Sequence, residues 1–213
     1  GLIEESVNSL KLSGGVKLVK HIIKGTFLFE GIGAIILSVV FSEKFGISRG
    51  IYLGIFHAIS AFCNAGFDVL GTLEPYGSLV PYASNLIVNI TIMVLIIIGG
   101  LGFIVWQDLY EKKFKFRNYL LQTKIVLVSS FLFILGGAFL FYVFECHHSL
   151  ASLNQEEAIL ASLFQSVTCR TAGFNTIDVS NLRPATSLLM MLLMFVGGSP
   201  GSTAGGIKTT TFS

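Results

Sequence analysis

Long runs without a charged residue alternate along this chain with short ones, and their lengths sort them into two kinds. Residues 86–106 form a 21-residue run and residues 125–144 a 20-residue run, each free of charge. Roughly 20 apolar residues cross the hydrocarbon core of a bilayer as a helix, so both runs predict membrane spans. Residues 25–42 are slightly fewer and include Glu30, but Val16, Leu18, Val19, Ile22 and Ile23 continue the apolar pattern upstream in helical register. A third span is predicted there. Residues 51–62 number 12 and residues 158–167 number 10, lengths that suit a re-entrant or interfacial helix. Each short run stops at a glycine-containing turn, CNAGFD at 63–68 and CRTAGFN at 169–175.

A single short helix with a glycine after it would read as a surface helix with an ordinary C-cap. Here the feature occurs twice in the same setting. Ala65-Gly66-Phe67 and Ala172-Gly173-Phe174 are 107 residues apart, and each follows a span and a short helix and precedes a second apolar segment. The last of these segments covers residues 185–196. Repetition at a fixed offset is an architectural signal. Each unit holds two crossings, so successive units face the same way. The predicted divisions are 1–24, a cytoplasmic lead-in; 25–107, a first unit; 108–124, a linker; and 125–213, a second unit that is not finished.

Charge placement gives the orientation. Lys112, Lys113, Lys115, Arg117 and Lys124 fill the linker, and Lys11, Lys17, Lys20 and Lys24 precede the first span. The other side holds Lys44, Arg49 and Arg183 among Glu43, Glu74, Glu145, Glu156, Glu157 and Asp178. Basic residues near span ends mark the cytoplasmic face, so both short helices are expected to enter from outside. A mean hydropathy of +0.77 agrees with an integral membrane protein. So does a charged fraction of 12%, half that of soluble domains. The net charge of +2 points to no nucleic-acid partner, and three cysteines fit neither a zinc spacing nor a full set of disulfides. The chain starts at Gly1 without a secretory signal pattern and stops at Ser213 where a helix looks set to restart. We expect a piece of a longer chain.

Irregular backbone inside hydrocarbon survives only when buried in protein or lining a wet cavity. A short helix that stops halfway leaves carbonyls unpaired, and carbonyls aimed at an axis can replace a cation's hydration shell. Glycine suits such a turn because it accepts unusual dihedrals and close approach. The partial negative charge at the helix C-terminus favours a cation too. A carbonyl ring needs about four such turns, so two further copies are expected elsewhere.

These residues resemble a known family. SAFCNAGFD and SVTCRTAGFN as pore loops, IIIGGLGFIVWQDL after the first and VGGSPGSTAGGIKTTT after the second, are similar to the Trk/Ktr/HKT superfamily, and most to its KtrB-type membrane subunits. The resemblance covers essentially the whole chain. It implies an all-α membrane protein built of parallel membrane helix–pore loop–membrane helix repeats around a central pore. Of an expected four repeats, the second and most of the third are present. It implies uptake of K+ with no cofactor bound by this chain and no bond-making chemistry, hence not an enzyme. It further implies a multi-pass location in the cell membrane, a homodimer, and a cytosolic nucleotide-binding regulatory subunit of the KtrA or TrkA type. The selectivity filter carried over is Asn64, Ala65, Gly66 and Phe67 with Thr171, Ala172, Gly173 and Phe174, with K+ held by backbone carbonyls near Gly66 and Gly173. Glycine at both positions agrees with K+-selective members; a Na+-conducting or mixed Na+/K+ member is the alternative.

Five of the ten residues from 197 to 206 are glycine, where a span ought to continue. The family resemblance implies a broken helix whose intramembrane loop gates the cytoplasmic half of the pore: Gly197, Gly198, Ser199, Pro200, Gly201, Ser202, Thr203, Ala204, Gly205 and Gly206. Hydroxyls of Ser199, Ser202 and Thr203 can satisfy freed backbone groups, and Lys208 is expected just past the gate. A rival reading takes GSTAGGIKT at 201–209 as a phosphate loop. Ile207 puts the lysine one residue out of register, and no surrounding nucleotide-binding pattern supports it.

Other polar residues have plainer roles on this reading. Arg170, beside a proposed filter, is expected to turn away and pair with a carboxylate. Asp68 and Asp178 either attract cations to the outer mouth or bond locally in turns. Glu30, within a span, is expected to hydrogen-bond to the short helix. Cys146, His147 and His148 read as loop residues rather than a metal site, and His57 as a packed one.

Overall fold

The computed structural model describes residues 12–71, 77–113, 115–208 and 211, with side chains from Val19 onward. The expectations for residues 1–11 and for Glu74 lie outside them. Among the described residues the fold is all-helical. It contains α1 (Leu12–Phe45), α2 (Ile47–Phe62), α3 (Leu86–Leu101), α4 (Phe103–Lys112), α5 (Leu121–Glu145), α6 (Gln155–Thr168) and α7 (Pro184–Phe195), with short 3₁₀ turns between.

By length and apolar composition, the part of α1 over Val19–Phe45 and all of α5 could cross a membrane. The run expected as one span at 86–106 is not straight: α3 ends at Leu101, α4 leaves it at 93°, and the two are long and apolar enough to cross a membrane only as a bent pair. Gly102 makes the break, at φ +92. The freed N–H of Phe103 donates not to its own helix but to Gly201 O, at 2.9 Å. The first part of the basic linker is accordingly helical.

Outward-facing apolar side chains on α1 (Phe27, Ile35, Val39) and α5 (Phe131, Leu132, Phe139) are more than 60% exposed. A face of this size suits lipid rather than water. In lipid, helices associate by close packing, and α1 and α2 achieve it with small residues. A β-carbon on Gly50 would stand 2.5 Å from Ser42 Cα, and one on Gly54 would stand 2.7 Å from Ser38 Cα. The pair is thus G-x-x-x-G on α2 against S-x-x-x-S on α1. In the second unit, Gly137 of α5 faces Ser166 of α6, whose hydroxyl donates to Ile134 O at 2.7 Å.

Caps fix where the helices begin. The Asn85 side chain accepts from Val88 N at the start of α3, at 3.0 Å. Glu157 closes a capping box onto Asn154 N ahead of α6, and Pro184 opens α7 with the φ a first helical residue needs. One core joins both units: Leu37, Phe41, Leu53, Phe62, Ile92 and Ile96 pack with Phe164 and Phe174. This shared core seats the ends of α2 and α6 next to each other.

Candidate functional site

The two short helices end alike. After α2, Cys63 N donates to Ile59 O and Ala65 N to Ser60 O, both at 2.9 Å; after α6, Cys169 N reaches Gln165 O at 3.2 Å and Ala172 N reaches Thr168 O at 3.0 Å. The chain then alternates. Asn64 (φ +50) and Gly66 (φ +70) are left-handed in the first turn, and Thr171 (φ +68) and Gly173 (φ +101) in the second. Non-glycine residues enter this region rarely and at a cost, so the same exception at positions 107 apart is a shared design. Alternating hand swings successive carbonyls toward one side of the strand. Among the described residues, no donor reaches the carbonyl oxygens of Asn64, Ala65, Gly66, Thr171, Ala172 or Gly173.

The turns also meet. A β-carbon on Gly66 would lie 2.0 Å from Ala172 O and 2.9 Å from Gly173 Cα. The two turns are not equivalent at their phenylalanines. Phe67 O accepts from the Ser60 hydroxyl at 2.8 Å, which takes it out of the set of free oxygens. Its ring is 69% exposed, whereas the Phe174 ring is fully buried beside His57.

Below the turns, residues 197–206 form a closed loop. Its neck is held by Gly197 N to Ile207 O (3.0 Å), Ile207 N to Phe195 O (3.1 Å) and Gly198 N to Gly205 O (3.2 Å). A side chain on Gly197 would strike Gly205 O, so the neck closes only with glycine there. Ser202 hydroxyl donates to Ser199 O at 2.6 Å, and Lys208 Nζ folds back onto Ala204 O at 2.7 Å. Outer contacts run to α3, where Ser199 N meets Gly100 O (3.1 Å) and Thr203 N meets Gly99 O (3.2 Å). The loop tip fills the α3–α4 break, since a β-carbon on Gly102 would lie 2.6 Å from Pro200 O. These α3 contacts escape sequence reading, since nothing in I-G-G-L-G names the loop residues that meet it.

The remaining candidates sort plainly. Arg170 is 93% buried by its 7% exposure, and its Nε and Nη2 have no partner among the described residues. No described residue supplies the expected carboxylate; Arg170 instead lines a small cavity with Ile96, Ile97, Gly100, Val167 and Gly198. Glu30 accepts a long bond from Cys63 Sγ at the end of α2 (3.9 Å). His57 Nδ1 lies 2.7 Å from Leu53 O. Asp68 accepts from Leu70 N and Asp178 from Ser180 N, each within its own turn. The Ser180 hydroxyl and N–H hold the Asp178 carboxyl below the usual carboxylate range. Among the described residues no group of three or more His, Cys, Asp or Glu could hold a metal.

Sequence reading also missed Glu145. It is fully buried, and it accepts from Arg183 N (2.9 Å), Thr186 Oγ1 (2.5 Å), Ser149 N (3.2 Å) and His148 Nδ1 (3.2 Å). It ties the end of α5 to the start of α7. A carboxylate directly after an apolar run was the available signal.

Paired short helices ending in left-handed turns, each following a long apolar helix, define a class of membrane protein with irregular backbone between its helices. The TrkH family, described as cation transport proteins, matches residues 7–213, and the chain belongs to that family. The potassium/sodium uptake protein NtpJ of Enterococcus hirae is 41% identical over 99% of this chain and 46% of its own length. The Ktr system potassium uptake protein B of Bacillus subtilis is 38% identical over 99% of this chain and 46% of its own. The chain thus spans less than half the length of these relatives. The crystal structure of the potassium transporter TrkH from Vibrio parahaemolyticus shares the fold, with a TM-score of 0.62 over 83% of this chain and 36% of that one, at 18% identity.

Proposed function

We propose that this chain supplies two of the repeats around a K+ uptake pore, divided at 25–107 and 125–213. Residues 64–67 and 171–174 line its selectivity filter and residues 197–206 form its gate. One observation carries the reading. Two turns 107 residues apart adopt the same left-handed alternation, meet at their glycines, and leave six carbonyls without a donor among the described residues. Oxygens so placed can stand in for the hydration shell of a passing cation. No side chain of this set carries charge, so selection rests on backbone dipoles and on the partial negative ends of α2 and α6.

The loop lies where the continuation of α7 would run, and its small residues fit a narrow passage. Glycine at both filter positions favours K+ over Na+. The basic residues of the linker support a cytoplasmic linker, and on this reading ions enter the filter from outside a cell membrane crossed several times. The complete protein works as a homodimer with a cytosolic nucleotide-binding regulatory subunit of the KtrA or TrkA type. The names of the Ktr-system relatives support a component of a larger uptake system.

The test is growth and K+ uptake by an uptake-deficient cell carrying the complete gene. Uptake at limiting K+ is expected to return. Gly173→Ser should weaken discrimination against Na+, and deletion of 198–205 should raise flux. Membrane-inserted protein that restores no uptake would reject the assignment.

A further inference from the structure

The loop is bonded directly to both filter-bearing ends. Thr203 hydroxyl donates to Phe62 O at 2.9 Å, the last carbonyl of α2 and two residues before left-handed Asn64. Gly205 N donates to Thr171 Oγ1 at 3.1 Å, and Thr171 is the left-handed residue that opens the second turn. The first contact is built in sterically. A β-carbon on Gly99 would lie 2.0 Å from Phe62 O and 2.9 Å from Thr203 Oγ1, so α3 admits the Phe62–Thr203 bond only because glycine stands there.

We propose that Thr171 and Thr203 are positioning residues through which the gating loop holds the filter backbone, so that moving the loop changes which ion is selected as well as how fast it passes. This rests on the filter and gate assignments above. Two physical steps carry it. Thr171 keeps an unfavourable φ, and such a conformation persists only where its surroundings over-determine it; the bond from Gly205 is one of those constraints. When the loop withdraws, Thr171 is freer to leave the left-handed region, and the carbonyls on either side of it turn off the axis. Meanwhile Phe62 O loses the hydroxyl that occupies it. A bare carbonyl at a helix C-terminus is a cation ligand, so opening adds an oxygen just inside the filter. Filter and gate are then one two-state element, with sites that bias each other reciprocally.

The experiment uses the complete protein in an uptake-deficient cell, scoring K+ flux and Na+ competition together. Thr171→Val and Thr203→Val keep shape and β-branching and remove only the hydroxyl. Each should raise flux and lower K+/Na+ discrimination by about fivefold or more, the lower end of ordinary coupling between sites. Thr171→Ser and Thr203→Ser, which retain the hydroxyl, should recover most of the discrimination that the valine variants lose. Discrimination unchanged in both valine variants would overturn the link, while Gly173→Ser losing discrimination and the 198–205 deletion raising flux would leave the filter and gate standing. If those two controls also change nothing, the assignments fail and this inference with them. Should Thr171→Val not reach the membrane, Thr203→Val decides alone.

Discussion

Gly66 stands so close to Ala172 of the other turn that a β-carbon added to it would lie 2.0 Å from the Ala172 carbonyl oxygen. Gly173, in the equivalent place, would set its β-carbon 3.6 Å from Gly66 Cα, an ordinary contact. The two glycines are alike in φ and unlike in surroundings.

That asymmetry gives a graded prediction. Gly173→Ala meets only the strain of a left-handed non-glycine residue, roughly 1–2 kcal/mol. Gly66→Ala adds a backbone collision that no rotamer relieves, so one turn must move. We expect Gly66→Ala to abolish K+-selective uptake and Gly173→Ala to leave part of it, read as Na+ competition at matched protein levels. Equal losses would show that the turns do not abut as described.

The α1–α2 contact makes a second prediction. Gly54→Leu forces the two helices apart, since a β-carbon alone would already stand 2.7 Å from Ser38 Cα, and overpacking of this kind costs about 1–3 kcal/mol or more. Gly31, on α1, has nothing within 4 Å of its would-be β-carbon, so Gly31→Ala should be neutral or slightly stabilising through helix propensity. Thermal unfolding in detergent separates the two. A Gly54→Leu protein as stable as the parent would contradict the small-residue seam.

Much of this architecture is legible in the sequence. The lengths of the apolar runs separate α1 and α5 from α2 and α6, and the repeated A-G-F locates both turns. The break at Gly102 is only hinted at, by Gly99, Gly100 and Gly102 in an otherwise uncharged apolar run; the carbonyl that takes the freed Phe103 N–H belongs to Gly201, far along the chain. Likewise, nothing near Phe62 announces that Thr203 will take its carbonyl. Arg170 shows the reverse failure: chemistry demands a partner that the described residues do not hold. The G-x-x-x-G of α2 was readable as a close-packing motif, yet its partner on α1 is serine, which composition alone does not single out.

Glu145 sets a third test. A buried carboxylate with four donors loses both its charge and its acceptor set in Glu145→Ala, leaving Arg183 N and Ser149 N unpaired. Each charge-assisted bond contributes about 1.5–3 kcal/mol, so the substitution should lower thermal stability sharply. Glu145→Gln, which keeps one acceptor oxygen, should fall between parent and alanine variant. Indistinguishable unfolding of all three would remove Glu145 from its place as the joint between α5 and α7.

The α3–α4 break and the loop tip supply the last prediction, and it concerns coupling. Gly102→Ala adds a β-carbon 2.6 Å from Pro200 O, at a residue already at φ +92. Either the loop tip is pushed out of the break or the corner itself shifts. The first course dislodges the gate, so Gly102→Ala alone should raise K+ flux. In a protein lacking residues 198–205, the atom that Gly102→Ala strikes is gone, and the same substitution should then add nothing to the flux the deletion already produces. Contacting residues show such non-additivity in a double-mutant cycle, whereas independent ones add. An equal increment in both backgrounds would mean that Gly102 acts through its own strained backbone, and that the loop tip does not seat in the corner it makes.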